Sequence, residues 1–224
     1  MGPPVEHLNE ISLTLSFHVK HGPSDPELLL EQAGRLGVQL GAGQAKRILQ
    51  FERLLVERAI PAGFVSRSDA SRLRERHILD CLRATQSLDQ ARECYDLGSG
   101  AGLPGVLLAI ALPSVRVGLI ETRSRRAGFL ELTVQALGLK NAFVVAGRIE
   151  DLREPVDACL ARALAPLAEA WEAARPLLRP MGRLVYFAGR TPAPSEIPAD
   201  AVLERVLTTP VLESAGPLVI MARQ

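Results

Sequence analysis

Lysine is scarce in this chain. It occurs only at Lys20, Lys46 and Lys140, although lysine and arginine together number 26. Arginine therefore supplies most of the positive charge, and its planar guanidinium can donate two parallel hydrogen bonds to one phosphate. The formal net charge is only +1, so no global positive field marks the whole chain as a nucleic-acid binder.

Cysteines and long apolar runs are also few. Cys81, Cys94 and Cys159 have neither disulfide-framework nor metal-ligand spacing, which predicts buried thiols in the reducing cytoplasm. No apolar run reaches the roughly 20 residues of a membrane-spanning helix. The N-terminus shows no charged-then-apolar signal pattern. We therefore expect a cytoplasmic monomer with no membrane partner and no metal site.

Composition and periodicity divide the chain into three predicted parts. Residues 1–24 contain three prolines and no clear period, so we expect a flexible N-terminal arm. Residues 25–90 have apolar residues at helical spacing and are predicted to form a helical N-terminal extension. Residues 91–224 are predicted to form the main domain. The helices expected in the extension span residues 25–37, 44–59 and 71–88.

The main domain alternates short apolar runs with amphipathic segments, which predicts parallel strands covered by helices on both faces. The last two predicted strands have no helix between them, which predicts that they pair antiparallel at the end of the domain. The expected fold is therefore α/β, with a mostly parallel seven-stranded sheet. The expected strands are 94–97, 115–121, 142–146, 156–160, 183–187, 202–207 and 218–222, and the expected helices are 103–111, 126–137 and 164–178.

A glycine-rich loop follows the first predicted strand and opens a helix. Gly100–Gly105 matches the pattern G-x-G-x-x-G, in which glycines allow a tight turn and close approach to a nucleotide-like ligand. This pattern alone leaves two readings open, a nicotinamide-dependent oxidoreductase and a methyltransferase that uses S-adenosylmethionine. Asp96 favours the second reading because it can reach that cofactor's amino group or an ordered water. Pro104 favours it too, because it stands where a dehydrogenase helix would cradle a pyrophosphate.

Three further groups follow predicted strands at the same sheet edge. Glu121 ends the second strand and can accept hydrogen bonds from both ribose hydroxyls. Arg148, Ile149 and Glu150 follow the third strand, where a cofactor's adenine would lie. Arg162 follows the fourth strand, at the carboxyl edge where such sheets bind ligands.

Several segments together resemble the bacterial small-subunit ribosomal RNA guanine-N7 methyltransferase family, also called glucose-inhibited division protein B. The resemblance covers about residue 45 to the C-terminus. The loop with Leu-Pro-Gly and the R-H-x-L-D segment are its most specific parts. The similar segments are Arg76–Asp80 (R-H-x-L-D), Asp96–Gly105 (D-x-G-[ST]-G-x-G-[LF]-P-G), Arg125–Leu130 (K-R-x-x-F-L), Arg148–Glu150 (R-[VA]-E) and Ala161–Ala163 ([SA]-R-A).

The resemblance implies a Rossmann-like class I methyltransferase fold and S-adenosylmethionine as the cofactor. It implies that Arg148 and His77 lie on the substrate side. The predicted catalytic residues are therefore Arg148, Arg162 and His77. The predicted cofactor-binding residues are Asp96, Gly98, Gly100, Gly102, Leu103, Glu121, Ile149, Glu150 and Arg162.

The chemistry of guanine N7 is consistent with the residues present. N7 carries a lone pair and no proton, so methyl transfer to it needs alignment and no general base. The sequence lacks the [DN]-P-P-[YF] segment of exocyclic-amine methyltransferases, and Cys159 lacks the preceding proline of cytosine-C5 enzymes. The expected partner is 16S ribosomal RNA or a small-subunit precursor. Its phosphates would be bound by Arg67, Arg72, Arg74, Arg76, Arg123, Arg125, Arg126 and Arg148.

Two segments depart from the family pattern. Gly63–Val65 stands where many members have Asn-Leu-Thr, and Ala188 stands where many carry a lysine near the RNA. Arg190 is a candidate replacement for that lysine. The departures leave open a paralogous methyltransferase acting on a small molecule or a different RNA, and a catalytically silent RNA-binding module.

Overall fold

The computed structural model describes residues 25–212 and 215–223. The predicted N-terminal arm, residues 1–24, lies outside the described residues. Among the residues described, no helix is both long and apolar enough to cross a membrane. Nor does any group of three or more His, Cys, Asp or Glu side chains in this part of the chain form a constellation able to hold a metal ion.

The N-terminal extension is helical. The first helix begins where Asp25 accepts a hydrogen bond from the Glu27 amide at 2.8 Å and Pro26 occupies the first helical position, a favourable start for a helix. The second buries apolar residues spaced three or four apart. The α-helices in the described residues are α1 (Pro26–Arg35), α2 (Ala42–Leu54), α3 (Asp80–Leu82), α4 (Gly105–Ala111), α5 (Ser124–Leu137) and α6 (Leu167–Ala174).

The single helix predicted over residues 71–88 is wrong. The structure has a succession of short helices of different types. They are a 3₁₀ helix at Arg67–Arg72, a π-helix at Arg74–Leu79, α3, and a 3₁₀ helix at Arg83–Ser87. Asp80 and Arg83 turn inward here and pair with each other at 2.8 Å. Buried ion pairing therefore shapes this segment as well as apolar periodicity, and π-helical turns of this kind are frequent near functional sites.

The sheet confirms the predicted fold class. Its strand order is β3-β2-β1-β4-β5-β7-β6, with β1 to β5 parallel and β7 antiparallel to both β5 and β6. Each expected strand is present, most with an end shifted by one or more residues. The strands are β1 (Glu93–Leu97), β2 (Arg116–Glu121), β3 (Ala142–Ala146), β4 (Val156–Arg162), β5 (Leu178–Phe187), β6 (Ala201–Leu207) and β7 (Leu218–Arg223).

Each face of the sheet has its own apolar core. On one face, Ile48 and Phe51 of α2 belong to the same buried cluster as Leu107 of α4 and Leu130 of α5. On the other face, the fully buried Trp171 of α6 packs in a second cluster. The helical extension thus shares a core with the sheet domain, while the division at residues 90 and 91 stays a prediction.

Candidate active site

The carboxyl ends of the first four strands meet at one edge of the sheet. Leu97 of β1 is paired with Ile120 of β2 on one side and with Ala161 of β4 on the other, and Glu121 is paired with Ala146 of β3. Parallel strands end together, so the segments that follow them lie side by side. This edge brings together the glycine-rich loop and the other groups predicted to follow these strands.

The glycine-rich loop needs glycine for two different reasons. Gly98, Gly100 and Gly102 have φ values of 72°, 58° and 87°, in the left-handed region that glycine adopts without strain. A Cβ at Gly98 would lie 2.8 Å from Leu164 Cδ1, and one at Gly102 would lie 2.5 Å from Val106 Cγ2. Packing therefore also closes Gly102 to larger residues, whereas at Gly98 only the end of the Leu164 side chain would have to move. Leu103, predicted to contact the cofactor, is buried beside them.

Gly100 differs from its neighbours because the space around it is open. A Cβ at this position would have Gly98 O at 3.7 Å and Arg126 Nη1 at 3.8 Å as its nearest atoms. The peptide backbone at Gly100 is thus open to close approach by a ligand, with an arginine at its border.

Glu121 ties the end of β2 to the glycine-rich loop. Its Oε2 accepts a hydrogen bond from the Gly100 amide at 3.0 Å, and its Oε1 accepts one from the Arg123 amide at 2.8 Å. The carboxylate is buried. Each oxygen has a second acceptor site, so the predicted bonds to ribose hydroxyls stay compatible with this geometry and stay a prediction.

Asp96 is held beneath the loop. Its Oδ2 accepts a hydrogen bond from the Gly105 amide at 3.0 Å, and the Ser99 hydroxyl donates to its backbone carbonyl at 2.9 Å. Burial raises the pKa of Asp96 to about 6, and the Gly105 hydrogen bond acts in the opposite direction. The side chain therefore links β1 to the start of α4, and its predicted reach to the cofactor's amino group remains untested.

Arg148, Ile149 and Glu150 follow β3 as predicted. Ile149 begins a 3₁₀ turn, Ile149–Asp151, and packs against the core on the α6 face. Arg148 and Glu150 are exposed. An apolar side chain between two exposed charged ones suits a planar, polar-edged ring such as adenine, which is the role predicted for this turn.

Arg162 and His77 are in direct contact, although 85 positions separate them in sequence. The Arg162 Nη2 atom lies 2.8 Å from His77 Nδ1, and Arg162 Nε donates to Asp80 Oδ2 at 3.4 Å. The R-H-x-L-D segment is thus seated against the carboxyl end of β4. Sequence reasoning placed both residues in the site but did not identify Asp69, whose Oδ2 lies 3.1 Å from His77 Nε2.

Four arginines predicted to bind RNA have carboxylate partners. Arg72 lies 3.6 Å from Glu75 and Arg76 lies 2.6 Å from Asp69; the other two are Arg74 and Arg126. Arg74 lies within hydrogen-bond distance of both carboxylate oxygens of Glu52, the closest pair at 2.6 Å, and both side chains are mostly buried. Arg126 lies 3.9 Å from Glu121, with its guanidinium carbon 5.7 Å from the centre of the Phe64 ring. Arg126 therefore borders the glycine-rich loop, a placement that no local sequence signal revealed.

This edge fits S-adenosylmethionine. The open backbone at Gly100 permits close approach, Glu121 offers acceptor sites beside it, and Ile149 offers an apolar surface beyond the next strand. The buried Asp96 lies behind the glycine turn, and Arg126 lies across the loop. Residues that would hold a nucleoside and an amino-acid group are therefore present together.

Two solved structures share the fold. A SAM-dependent methyltransferase from Aquifex aeolicus is 18% identical, with a TM-score of 0.52 over 72% of this chain and 97% of that one. A mutant of MtNAS in complex with S-adenosylmethionine is 18% identical, with a TM-score of 0.55 over 88% of this chain and 77% of that one. At this identity the likeness establishes the class I methyltransferase fold.

Sequence comparisons extend over most of the chain. The family model described as GidB, rRNA small subunit methyltransferase G, matches residues 44–205. The ribosomal RNA small subunit methyltransferase G of Kineococcus radiotolerans is 34% identical over 197 residues, covering 86% of this chain and 78% of that protein. The protein of the same name from Streptomyces coelicolor is 35% identical over 161 residues, covering 70% and 67%. The chain therefore belongs to the rRNA small subunit methyltransferase G family.

Proposed function

We propose that this protein transfers a methyl group from S-adenosylmethionine to N7 of a guanine in 16S ribosomal RNA. The observation that carries the proposal is the convergence of the family-specific segments at one sheet edge. The R-H-x-L-D segment reaches Arg162 through the 2.8 Å contact of His77, and the glycine-rich loop lies at the end of the adjoining strand.

In this proposal the loop and the two segments beyond it hold the cofactor. Gly98, Gly100, Gly102 and Leu103 present the loop backbone. The other contacts come from Asp96, Glu121, Ile149, Glu150 and Arg162. When bound, S-adenosylmethionine supplies a methyl group on a positively charged sulfur.

The chain's own contribution to the reaction is alignment. Guanine N7 has a lone pair and no proton to lose, so holding the base in line with the methyl donor accounts for the catalysis. Arg148 and His77 lie on the substrate side in this proposal. The exposed arginines Arg67, Arg72, Arg123 and Arg125 bind the RNA phosphates. We also propose that the protein acts as a cytoplasmic monomer without a membrane partner.

A second candidate substrate is a small molecule, and one observation favours it. Ala188 stands in place of a lysine found in many members of the family. Arg190 does not provide a free cation instead, because its guanidinium donates to both oxygens of Glu196 at 2.7 and 2.8 Å. Among the residues that the structure describes, this part of the edge therefore lacks one cation expected near the RNA.

The test is transfer of labelled methyl from S-adenosylmethionine in three parallel reactions, with small ribosomal subunits, with naked 16S ribosomal RNA, and with an RNA-free metabolite extract. The methylated position is then mapped by mass spectrometry. Label at N7 of one guanine is the expected result. Label only in the metabolite fraction would replace the RNA proposal by the small-molecule one.

A further inference from the structure

The Arg162 guanidinium is held by acceptors from a single segment. Its Nε donates to Asp80 Oδ2 at 3.4 Å, while its Nη2 lies 3.0 Å from the Arg76 carbonyl oxygen and 2.8 Å from His77 Nδ1. The two hydrogens of Nη2 are therefore both used. Within residues 25–212 and 215–223, Nη1 makes no hydrogen bond, and the side chain is 19% exposed. Two donors of the guanidinium remain for a ligand.

These contacts fix the tautomer of His77. A guanidinium can only donate, so His77 Nδ1 must be the acceptor and carry no proton. The proton of the neutral ring is then on Nε2, which lies 3.1 Å from Asp69 Oδ2 and donates to it. Asp69 also binds Arg76 through its other oxygen, at 2.6 Å. The order of contacts is thus carboxylate, imidazole, guanidinium.

We propose that Asp69 and His77 are positioning residues: Asp69 holds His77 in its Nε2–H form, and His77 in turn orients Arg162 toward the bound ligand. The inference rests on the proposed function, in which Arg162 contacts the cofactor. It assigns to Asp69 a role that its place on an exposed 3₁₀ turn does not suggest. It also makes His77 act through Arg162 and not by proton transfer to the substrate.

Protonation of His77 disrupts this arrangement. The charged groups that face the ring are Arg162 from β4, Asp69 from the preceding 3₁₀ helix and Arg76 from its own segment. Burial lowers the pKa of His77 below its usual 6.5, Arg162 lowers it further, and Asp69 raises it in part. A second proton on Nδ1 would set a donor against the Nη2 donor, so Arg162 loses this contact as the pH falls through the His77 pKa.

The test compares Asp69→Asn with wild type. An asparagine presents an amide N–H as well as an oxygen, so it no longer dictates which His77 nitrogen carries the proton. We expect methyl transfer to fall by roughly 10- to 100-fold, the range for a small displacement of a positioned group. The acid limb of the pH–rate profile should move to lower pH, because the group that raises the His77 pKa is weakened. Nitrogen NMR of labelled histidine should show a smaller Nε2–H population, because Arg162 alone then favours this tautomer.

Two control variants isolate the proposed link. Asp89→Asn makes the same change at an exposed site and should leave rate, pH profile and tautomer unchanged. Arg76→Ala removes the other partner of Asp69 and should leave the His77 tautomer unchanged. Thermal unfolding of each variant establishes that it is folded.

The tautomer measurement needs no substrate, so it separates this inference from the proposed function. A wild-type protein without RNA methylation but with His77 in the Nε2–H form would leave the positioning link standing and remove the assigned reaction. A proton on Nδ1 of wild-type His77 would overturn the inference. So would a folded Asp69→Asn protein with wild-type turnover and an unchanged acid limb.

Discussion

The two ends of the same sheet differ in whether their exposed arginines are paired with carboxylates. At the amino end, Arg116 pairs with Glu93 at 2.8 Å and Arg179 pairs with Asp157 at 2.6 Å. Asp157 also accepts hydrogen bonds from the backbone amides of residues 92 and 93. At the carboxyl end, four exposed arginines have no carboxylate within 4.0 Å among the residues described. They are Arg67, Arg123, Arg125 and Arg148.

The comparison shows that a group of arginines indicates an anion-binding surface only when their carboxylate partners are known. The amino-end charges neutralise each other, and exposed pairs of this kind contribute about 0–1 kcal/mol to stability. The four unpaired arginines at the carboxyl end have no carboxylate partner among the described residues and can take up an external anion. A polyanion that lies along this edge would supply that anion, which is why the two ends should respond differently to the same substitution.

The largest expected effect is on cofactor binding. Gly100→Asp should abolish binding of S-adenosylmethionine and of its demethylated product. The new side chain would occupy the open space beside the loop, would be strained at φ 58°, and would set a second carboxylate near Glu121. Isothermal titration calorimetry measures the affinity.

Gly43→Asp is the matched control for this change, since its added Cβ would meet nothing within 4 Å and the position has no left-handed backbone. It should bind the cofactor as wild type does. Unchanged affinity in Gly100→Asp would remove the loop from the site.

The next largest expected effect is on the rate of methyl transfer, compared between one arginine from each end of the sheet. Arg162→Ala should reduce methyl transfer by about 100-fold or more while the protein stays folded, because the guanidinium is positioned at the ligand edge. Arg179→Ala, at the opposite end, should leave turnover near wild type. Steady-state kinetics together with circular dichroism make the comparison, and equal losses in the two variants would mean that the effect is structural.

Asp96 and Asp157, which lie toward opposite ends of the sheet, should also contribute differently to the pH dependence of stability. Asp96 has a folded pKa of about 6, above its ordinary 3.8. Its contribution to the free energy of unfolding is therefore fully present below pH 3.8 and is lost as the pH rises through 6, by on the order of 3 kcal/mol. Relative to wild type, Asp96→Asn should become more stable between pH 4 and pH 7 in urea denaturation.

Asp157 at the amino end should show the reverse. Burial alone would raise its pKa, but hydrogen bonds from Arg179 and two backbone amides lower it below 3.8. Its contribution is present above that value and is lost as the pH falls through the folded pKa. Asp157→Asn should thus be destabilising at pH 7 and less so at pH 3. A parallel response of the two variants would contradict the assigned environments.

The smallest expected effect is on the salt dependence of RNA binding. Each phosphate neutralised adds roughly 0.7–0.9 to the slope of log affinity against log salt concentration. Arg125→Ala should lower the magnitude of the slope by about that amount, while Arg116→Ala should leave it unchanged because Arg116 is engaged by Glu93. Filter binding over a salt series measures both, and identical slopes would argue against the carboxyl edge as the RNA surface.

The sheet could be predicted from the sequence because its signals are local. Buried parallel strands are short apolar runs between turn signals, and Gly98, Gly100 and Gly102 occupy positions that require left-handed backbone. The helical extension was harder. Residues 67–87 contain apolar residues at helical spacing, yet they form several short helices of different types instead of one helix. Asp80 and Arg83 pair with each other in the interior of this segment.

The sequence by itself determined the strands, the left-handed turns of the loop and, through several spaced segments, the family. Those properties depend on residues that are close to one another in sequence, or on motifs made of consecutive residues. Only the tertiary structure decided which charges are free. Glu52 engages Arg74 from 22 positions away, and Phe64 and Glu121 place Arg126 at the loop. Asp69 joins His77 to Arg162 for the same reason: partner choice depends on the packing of distant elements, on which local sequence spacing carries no information.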